Sequence, residues 1–187
     1  MDRESQVDFL PTKPFLVVVS VLSEQCLEFL LSRRSIRSFE DREVPLELVM
    51  KAIDVARYAP SARNSQPWRF YVVKRRDLID KLSEIHVGAT PLKRAKLAVI
   101  VTSVPSESPA SHQVDAALAT MYLWLALHCL GLGAVWIQTL KNIDDIRKIV
   151  GIPEDEVPIA ILAIGWPAEK PTAKPRKPLE QIVKIIE

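Results

Sequence analysis

Residues Ala59 to Trp68 read APSARNSQPW, with two prolines, two serines, an arginine, two amides and an indole in ten positions. Tight chain reversal accounts for Pro60 and Ser61. It does not account for Asn64, Ser65, Gln66, Pro67 and Trp68, whose polar groups and large ring cannot all be buried in so short a piece. Amides and aromatics on a loop held by a rigid frame are a common way to build a ligand wall. The plain alternative is a turn in which Trp68 joins the core and Asn64 satisfies loop backbone.

Three more stretches carry groups able to do chemistry. RRSIRSF, Arg33 to Phe39, presents Arg33, Arg34, Ser35 and Arg37 within five residues. Guanidinium forks and a serine hydroxyl suit a phosphate, although a basic turn closing a helix has the same composition. KPTAKPRKPL, Lys170 to Leu179, spaces Lys174, Arg176 and Lys177 along a proline-stiffened chain, which reads as a charged linker or as half of a phosphate clamp. GLGAVWIQTL, Gly131 to Leu140, reads as a helix stop and a strand. Its GxG lacks both the further glycine and the preceding strand of a dinucleotide fingerprint. Backbone amides beyond Trp136 could still face a ring. No catalytic triad or dyad is evident, and no CxxC, HExxH or clustered His/Asp set offers a metal site.

The elements that must position these groups follow from apolar spacing. Helices are predicted over Glu24–Ser32, Leu46–Tyr58, Asp77–Ile85, Gln113–Leu130 and Asn142–Val150, the last capped by Asn142. Strands are predicted over Arg69–Lys74, Ala95–Ser103, Ala134–Gln138 and Val157–Trp166. The helix from Gln113 is apolar almost all round, which places it at a domain centre or a subunit interface. Irregular alternation of helices and strands about it indicates an α+β sandwich.

The chain has 187 residues, enough for one self-sufficient domain. A net charge of +2 gives no grounds for a nucleic-acid or membrane partner. Phe15 to Leu22 is too short to span a bilayer, and the acidic residues before it do not suit a secretory leader. It is expected to be a buried strand or an early helix turn. Cys26 and Cys129 are expected to be reduced, buried thiols of a cytoplasmic protein.

Taken in order, RRSIRSF, APSARNSQPWRF, GLGAVWI and IGWPAEKPTAKPRKPLEQIV resemble the recurring segments of the nitroreductase-like flavoproteins, over roughly Glu24 to Ile186. The resemblance implies a central mixed, mostly antiparallel sheet flanked by helices, with a long buried helix, in an intertwined homodimer. Residues 24–187, including a C-terminal arm, would form one FMN-binding domain, with residues 1–23 an extension of unassigned role. Carried over, Arg33, Ser35 and Arg37 would hold the FMN phosphate, ribityl chain and pyrimidine edge, with Arg34 contributing backbone. Lys174 and Arg176 would complete the phosphate site. Pro60, Ser61, Ala62 and Asn64 of the other subunit would line the flavin, with Gln66 supporting them. Val135, Trp136, Ile137 and Gln138 would run along the ring, with a main-chain N–H near Gln138 directed at N5.

The implied activity is ping-pong transfer of electrons from NADH or NADPH, through FMN, to a small-molecule acceptor such as a nitroaromatic or quinone. Two alternatives are chemistry of a different kind on the same fold (flavin fragmentation with oxygen, or dehalogenation) and a non-enzymatic module binding an acidic partner. Family members often place a small residue just after the GLG strand, where this sequence has Gln138-Thr139-Leu140. Nothing in Glu84 to Ala95 can be matched to a flavin contact.

Overall fold

The structure, a computed structural model, describes residues 13–186 and, from residue 23 onward, their side chains. It divides into two units, one ending at Arg33 and the other beginning at Arg34. The first contains helix α1, Lys13–Ser32. This helix is continuous where a strand or helix turn followed by a separate helix was expected. Ser23-Glu24-Gln25 holds no glycine or proline, so nothing there interrupts helical hydrogen bonding. The side chains of Phe15 to Leu22 lie outside the described residues, and the helix runs through residue 23.

The second unit follows the predicted order closely. Its elements are α2 (Leu46–Ala56), β1 (Trp68–Val73), α3 (Arg76–Ser83), β2 (Leu97–Ser103), α4 (His112–Cys129), β3 (Gly133–Gln138), α5 (Ile143–Val150), β4 (Val157–Gly165) and α6 (Leu179–Ile182). The strands form one sheet in the order β1-β2-β4-β3. Every pairing among these four described strands is antiparallel, which agrees with the mostly antiparallel sheet expected.

Side chains alternate between the two sheet faces. Val99, Val101, Leu162, Ile164 and Ala134 pack against α2 and α4. Ala98, Ile100, Ile161, Ala163, Val135 and Ile137 face α3, α5 and the 3-10 segment Val87–Lys93. A register shift at Val101/Thr102 turns Ile159 to the first face. The sheet is buried on both faces, which explains why β2 and β4 are continuous apolar runs.

Helix α4 buries Ala116, Ala119, Leu123 and Leu127 against the sheet. Full burial of a leucine contributes roughly 1.5–3 kcal/mol. Its opposite side leaves Val114, Leu118 and Tyr122 exposed. The helix stops at Gly131, whose φ of 77° is readily adopted only without a Cβ. Two expectations are corrected. Cys26 and Cys129 are free but exposed, Cys129 because it ends α4 on the side away from the sheet. Asn142 precedes α5 without a side-chain cap, because its Nδ2 instead donates to the Ile85 carbonyl at 3.1 Å.

At the β1 side of the sheet a polar knot forms around Glu156. Tyr71 Oη donates to its Oε1 at 2.9 Å, and the Thr102 hydroxyl donates to its Oε2. Burial, then the hydrogen bond to Glu156, pushes the Tyr71 phenol up to about 12. The folded state thus holds the neutral phenol more strongly than the unfolded chain, whose tyrosines titrate near pH ~10. This contribution is complete below pH ~10 and is lost as pH rises toward about 12. Tyr71→Phe should therefore flatten the fall of urea-unfolding stability over that alkaline window. An unchanged slope would show that Tyr71 is not its source.

Candidate functional site

Two of the polar stretches are rooted on each other. Ile36 N–H donates to the Ala134 carbonyl at 3.0 Å, tying the segment after Arg34 to the start of β3. Phe39 then bridges Pro167, and Ala168 N–H donates to the Ser38 carbonyl at 3.0 Å. Glu169 clamps the same turn, its Oε1 accepting from Arg37 N–H at 2.5 Å and Ser38 N–H at 3.0 Å. Gly133 and Gly165 pair across β3 and β4, and the 34–40 segment lies directly on them. A Cβ on Gly133 would fall 2.9 Å from Ile36 Cβ, and one on Gly165 2.8 Å from Phe39 Cβ.

Arg37 projects from this root. Arg37 is exposed, its guanidinium making one long contact to the Ser35 carbonyl at 3.4 Å. Arg34 and Ser35 are half-buried. Arg33 closes the first unit. Lys174 and Arg176 are exposed, with Arg176 Nη1 donating to the Lys174 carbonyl at 3.2 Å. Neither they nor Arg37 has a carboxylate partner among the described residues. Lys174 lies five residues beyond Glu169, at most ~18 Å of extended chain.

The 59–68 loop is tightly specified. Pro60, Ala62, Asn64 and Gln66 are exposed and Ser61 half-buried, while Trp68 is a core residue. Arg63, Asn64 and Gln66 all have left-handed φ, at 55°, 56° and 48°. Each costs of order 1–2 kcal/mol for a side chain with a Cβ. Local bonds offset this: Asn64 N–H to the Ser61 carbonyl at 3.1 Å and Gln66 N–H to Ser61 Oγ at 3.0 Å. So does Asp115, a buried carboxylate on the first turn of α4. Its Oδ1 accepts from Ala62 N–H at 3.1 Å and its Oδ2 from Ser108 Oγ at 2.8 Å. The Ser65 hydroxyl is buried without a hydrogen-bond partner, and Ser65 lines a cleft of 450 Å³ with Arg63 and Ser108.

On β3, Val135 and Ile137 are buried beneath the sheet and Trp136 packs on the opposite face. Only their backbone can line a ring. Gln138 is exposed, but its Oε1 turns back to accept from Thr139 N–H at 2.9 Å. The unmatched 84–95 stretch meets this exit, where His86 Nε2 lies 2.9 Å from the Gln138 carbonyl oxygen.

Sequence reading misses Asp115, Glu169, Gly165 and His86. Asp115 left one signal, a lone acid in an otherwise apolar helix. The other three became visible only with their distant partners in place. Among the described residues, no group of three or more His, Cys, Asp or Glu could hold a metal, and no helix is long and apolar enough to cross a membrane.

Comparison with known proteins fixes the class of this scaffold. The Nitroreductase family model matches residues 30–107 and 91–166. A protein of Methanothermobacter thermautotrophicus named "Putative NADH dehydrogenase/NAD(P)H nitroreductase" is 40% identical over 150 residues, spanning 78% of each chain. A Parabacteroides distasonis protein of the same name superposes with a TM-score of 0.81 at 32% identity, over 86% of this chain and 97% of its own. An "FMN-dependent Nitroreductase" from Clostridium difficile gives 0.74 at 31% identity, over 79% and 90%. The fold and these relatives define an α+β oxidoreductase. The chain belongs to the nitroreductase family.

Proposed function

We propose that this chain is an FMN-dependent NAD(P)H oxidoreductase, active as a homodimer, that reduces a nitroaromatic, quinone or similar small acceptor. The observation carrying the proposal is the rooted pair of cationic segments. Glu169 commits its carboxylate to two main-chain amides at the Arg37 turn, and Arg37, with Lys174 and Arg176 a few residues further along the chain, has no acidic partner among the described residues. A phosphate monoester, doubly charged near neutral pH, suits such a set. The donor chemistry thus fits FMN. Arg33, Ser35, Arg37, Lys174 and Arg176 would hold its phosphate and ribityl chain, with Arg34 supplying backbone.

FMN when bound supplies the redox chemistry, accepting hydride from NAD(P)H and passing electrons to the acceptor. The protein binds and orients. Trp136 and Gln138 offer main-chain N–H groups at the open edge of β3. Pro60, Ser61, Ala62, Asn64 and Gln66 form a preorganised wall, contributed in this reading by the partner subunit. Exposed Met50 and Val55 of α2, Tyr58 just after it, and Val114, Leu118 and Tyr122 of α4 support a second copy packing on that layer. Leu179, Ile182, Ile185 and Ile186 are also exposed, which suits an arm lying across it. The FMN-binding body is residues 24–187, with 1–23 an extension. Two unbridged cysteines suit a cytoplasmic setting.

An absorbance spectrum tests this directly. The purified protein should be yellow, or become so with FMN, and should bleach on anaerobic addition of NADH or NADPH. Arg33→Ala should weaken FMN binding by roughly 10- to 150-fold, the loss of one charge-assisted contact of ~1.5–3 kcal/mol. A chain that stays colourless with FMN overturns the reading. A yellow chain that neither nucleotide bleaches moves it to flavin fragmentation or dehalogenation.

A further inference from the structure

His86 has no counterpart in the expectations above, yet both of its ring nitrogens are committed. Its Nδ1 accepts from Gly88 N–H at 3.0 Å. A ring nitrogen that accepts from an amide carries no hydrogen. Nε2 must then bear the proton of the neutral ring, and it faces the Gln138 carbonyl oxygen, which can only accept, at 2.9 Å. The hydrogen-bond pattern assigns the tautomer. The turn is built for this approach: a Cβ on Gly88 would lie 3.0 Å from His86 Cε1 and Nδ1, so glycine lets the ring fold over the backbone. The adjoining residue is tethered to the same region, since Asn142 Nδ2 donates to the Ile85 carbonyl at 3.1 Å.

The bond falls on an informative peptide group. The carbonyl of Gln138 and the N–H of Thr139 belong to one plane. His86 holds the oxygen, and Gln138 Oε1 holds the N–H at 2.9 Å. Along β3 the Ala134 carbonyl points to the open edge, where Ile36 N–H meets it. Strand alternation places the amide and carbonyl of Trp136 and Gln138 on that same edge. With its carbonyl taken, Gln138 retains its own N–H as the donor at the end of the strand.

We propose that His86 is a positioning residue: as the neutral Nε2–H tautomer it fixes the Gln138–Thr139 peptide, and through the Cα that this plane shares with the preceding peptide it steadies the Gln138 N–H that faces the reacting end of the flavin. This rests on the flavin reading above. The role asks nothing of the imidazole beyond one donated and one accepted hydrogen bond. A group acting through a second residue in this way is expected to alter the rate of flavin reduction while leaving FMN binding nearly intact. A displacement of a reacting centre of even ~1 Å is enough to slow a hydride transfer strongly.

Two substitutions divide the bonds. In His86→Asn, Oδ1 stands in for Nδ1 and still accepts from Gly88 N–H, but nothing reaches Gln138. In His86→Gln, Nε2 stands in for the ring Nε2 and still donates to Gln138, while the turn loses its acceptor. Both proteins should hold FMN within about threefold of wild type by fluorescence quenching. In stopped flow with NAD(P)H, His86→Asn should reduce its flavin roughly tenfold more slowly. His86→Gln should stay within about threefold. Amide exchange at Thr139, followed on the flavin-free chains, should accelerate in His86→Asn and not in His86→Gln.

Wild-type reduction and exchange rates in His86→Asn would overturn the proposal. Equal losses in both variants would also overturn it, assigning His86 to the Gly88 turn alone. A wild-type chain that takes up no FMN sinks the flavin reading instead. Exchange at Thr139 then still decides whether His86 holds that peptide.

Discussion

Gly165→Ala should destabilise the protein by roughly 2–3 kcal/mol and lower its Tm by ~4–12 °C, a large loss for one added methyl. The cause is the place where the 34–40 segment crosses the end of β4. The new Cβ would meet Phe39 at 2.8 Å, and the atoms it meets are Cβ, Cγ and Cδ1. A clash with the far end of a flexible chain could be relieved by a rotamer change. A clash with Cβ cannot, because that atom moves only with the backbone. The 34–40 segment would have to lift, straining the Phe39–Pro167 bridge, the Ser38–Ala168 bond and the Glu169 clamp together. On the proposed reading, FMN affinity should therefore fall along with stability. Shortening the ring to give Phe39→Leu should not rescue the variant, since leucine keeps the offending Cβ. Thermal unfolding of the single and double variants checks this. A Gly165→Ala protein with wild-type Tm and flavin affinity would show that the segment has slack at this crossing.

That crossing marks where sequence reading stops. The β2 and β4 runs were legible because strands buried on both faces must be apolar throughout, and that pattern is local. Gly131 was legible as a helix stop for the same reason. Gly165 was not, although it lay in a segment singled out for resemblance, because its constraint comes from Phe39, far away in the chain. Val135 and Ile137 show the converse. Named as residues that run along a ring, they are core side chains, and only strand parity separates the backbone they can offer from the side chains they cannot. The Asn142 cap failed to form because the side-chain amide is oriented by a tertiary bond, its Nδ2 donating to the Ile85 carbonyl, and its oxygen does not accept from the first amides of α5.

On the proposed reading, Glu169 is an acid inside a cationic site whose carboxylate is bound to backbone and not to a cationic side chain. Its carboxylate accepts two main-chain hydrogens at the Arg37–Ser38 turn, so its charge organises the arginine segment. The acid fixes the backbone turn from which Arg37 projects. A linker of the same net charge without Glu169 would leave Arg37 undirected.

Asp115→Ala should cost about 2–4 kcal/mol and open the 61–66 loop to protease. The side chain is buried and accepts from Ala62 N–H and Ser108 Oγ–H. Bonds to a charged acceptor contribute roughly 1.5–3 kcal/mol each, without strict additivity. Alanine also leaves both donors facing an apolar hole. The position on the first turn of α4 favours the negative charge further. The loop itself is poised to relax, since three of its residues sit at φ of 48° to 56° without a glycine among them. Once the Ala62 anchor is gone, the chain lowers its energy by leaving that conformation. The exposed Arg63 then becomes a trypsin site. Asp115→Asn should be milder, about 1 kcal/mol, because Oδ1 still accepts from Ala62 and the Ser108 hydroxyl can rotate to accept from Nδ2. Urea unfolding gives the stabilities, and limited trypsinolysis followed by mass analysis reports cleavage after Arg63. If Asp115→Ala resists trypsin at Arg63 as wild type does, the loop holds its own shape and Asp115 merely fills space. If cleavage accelerates while Asp115→Asn stays protected, the side-chain acceptor at the start of α4 is what keeps the 61–66 loop in place.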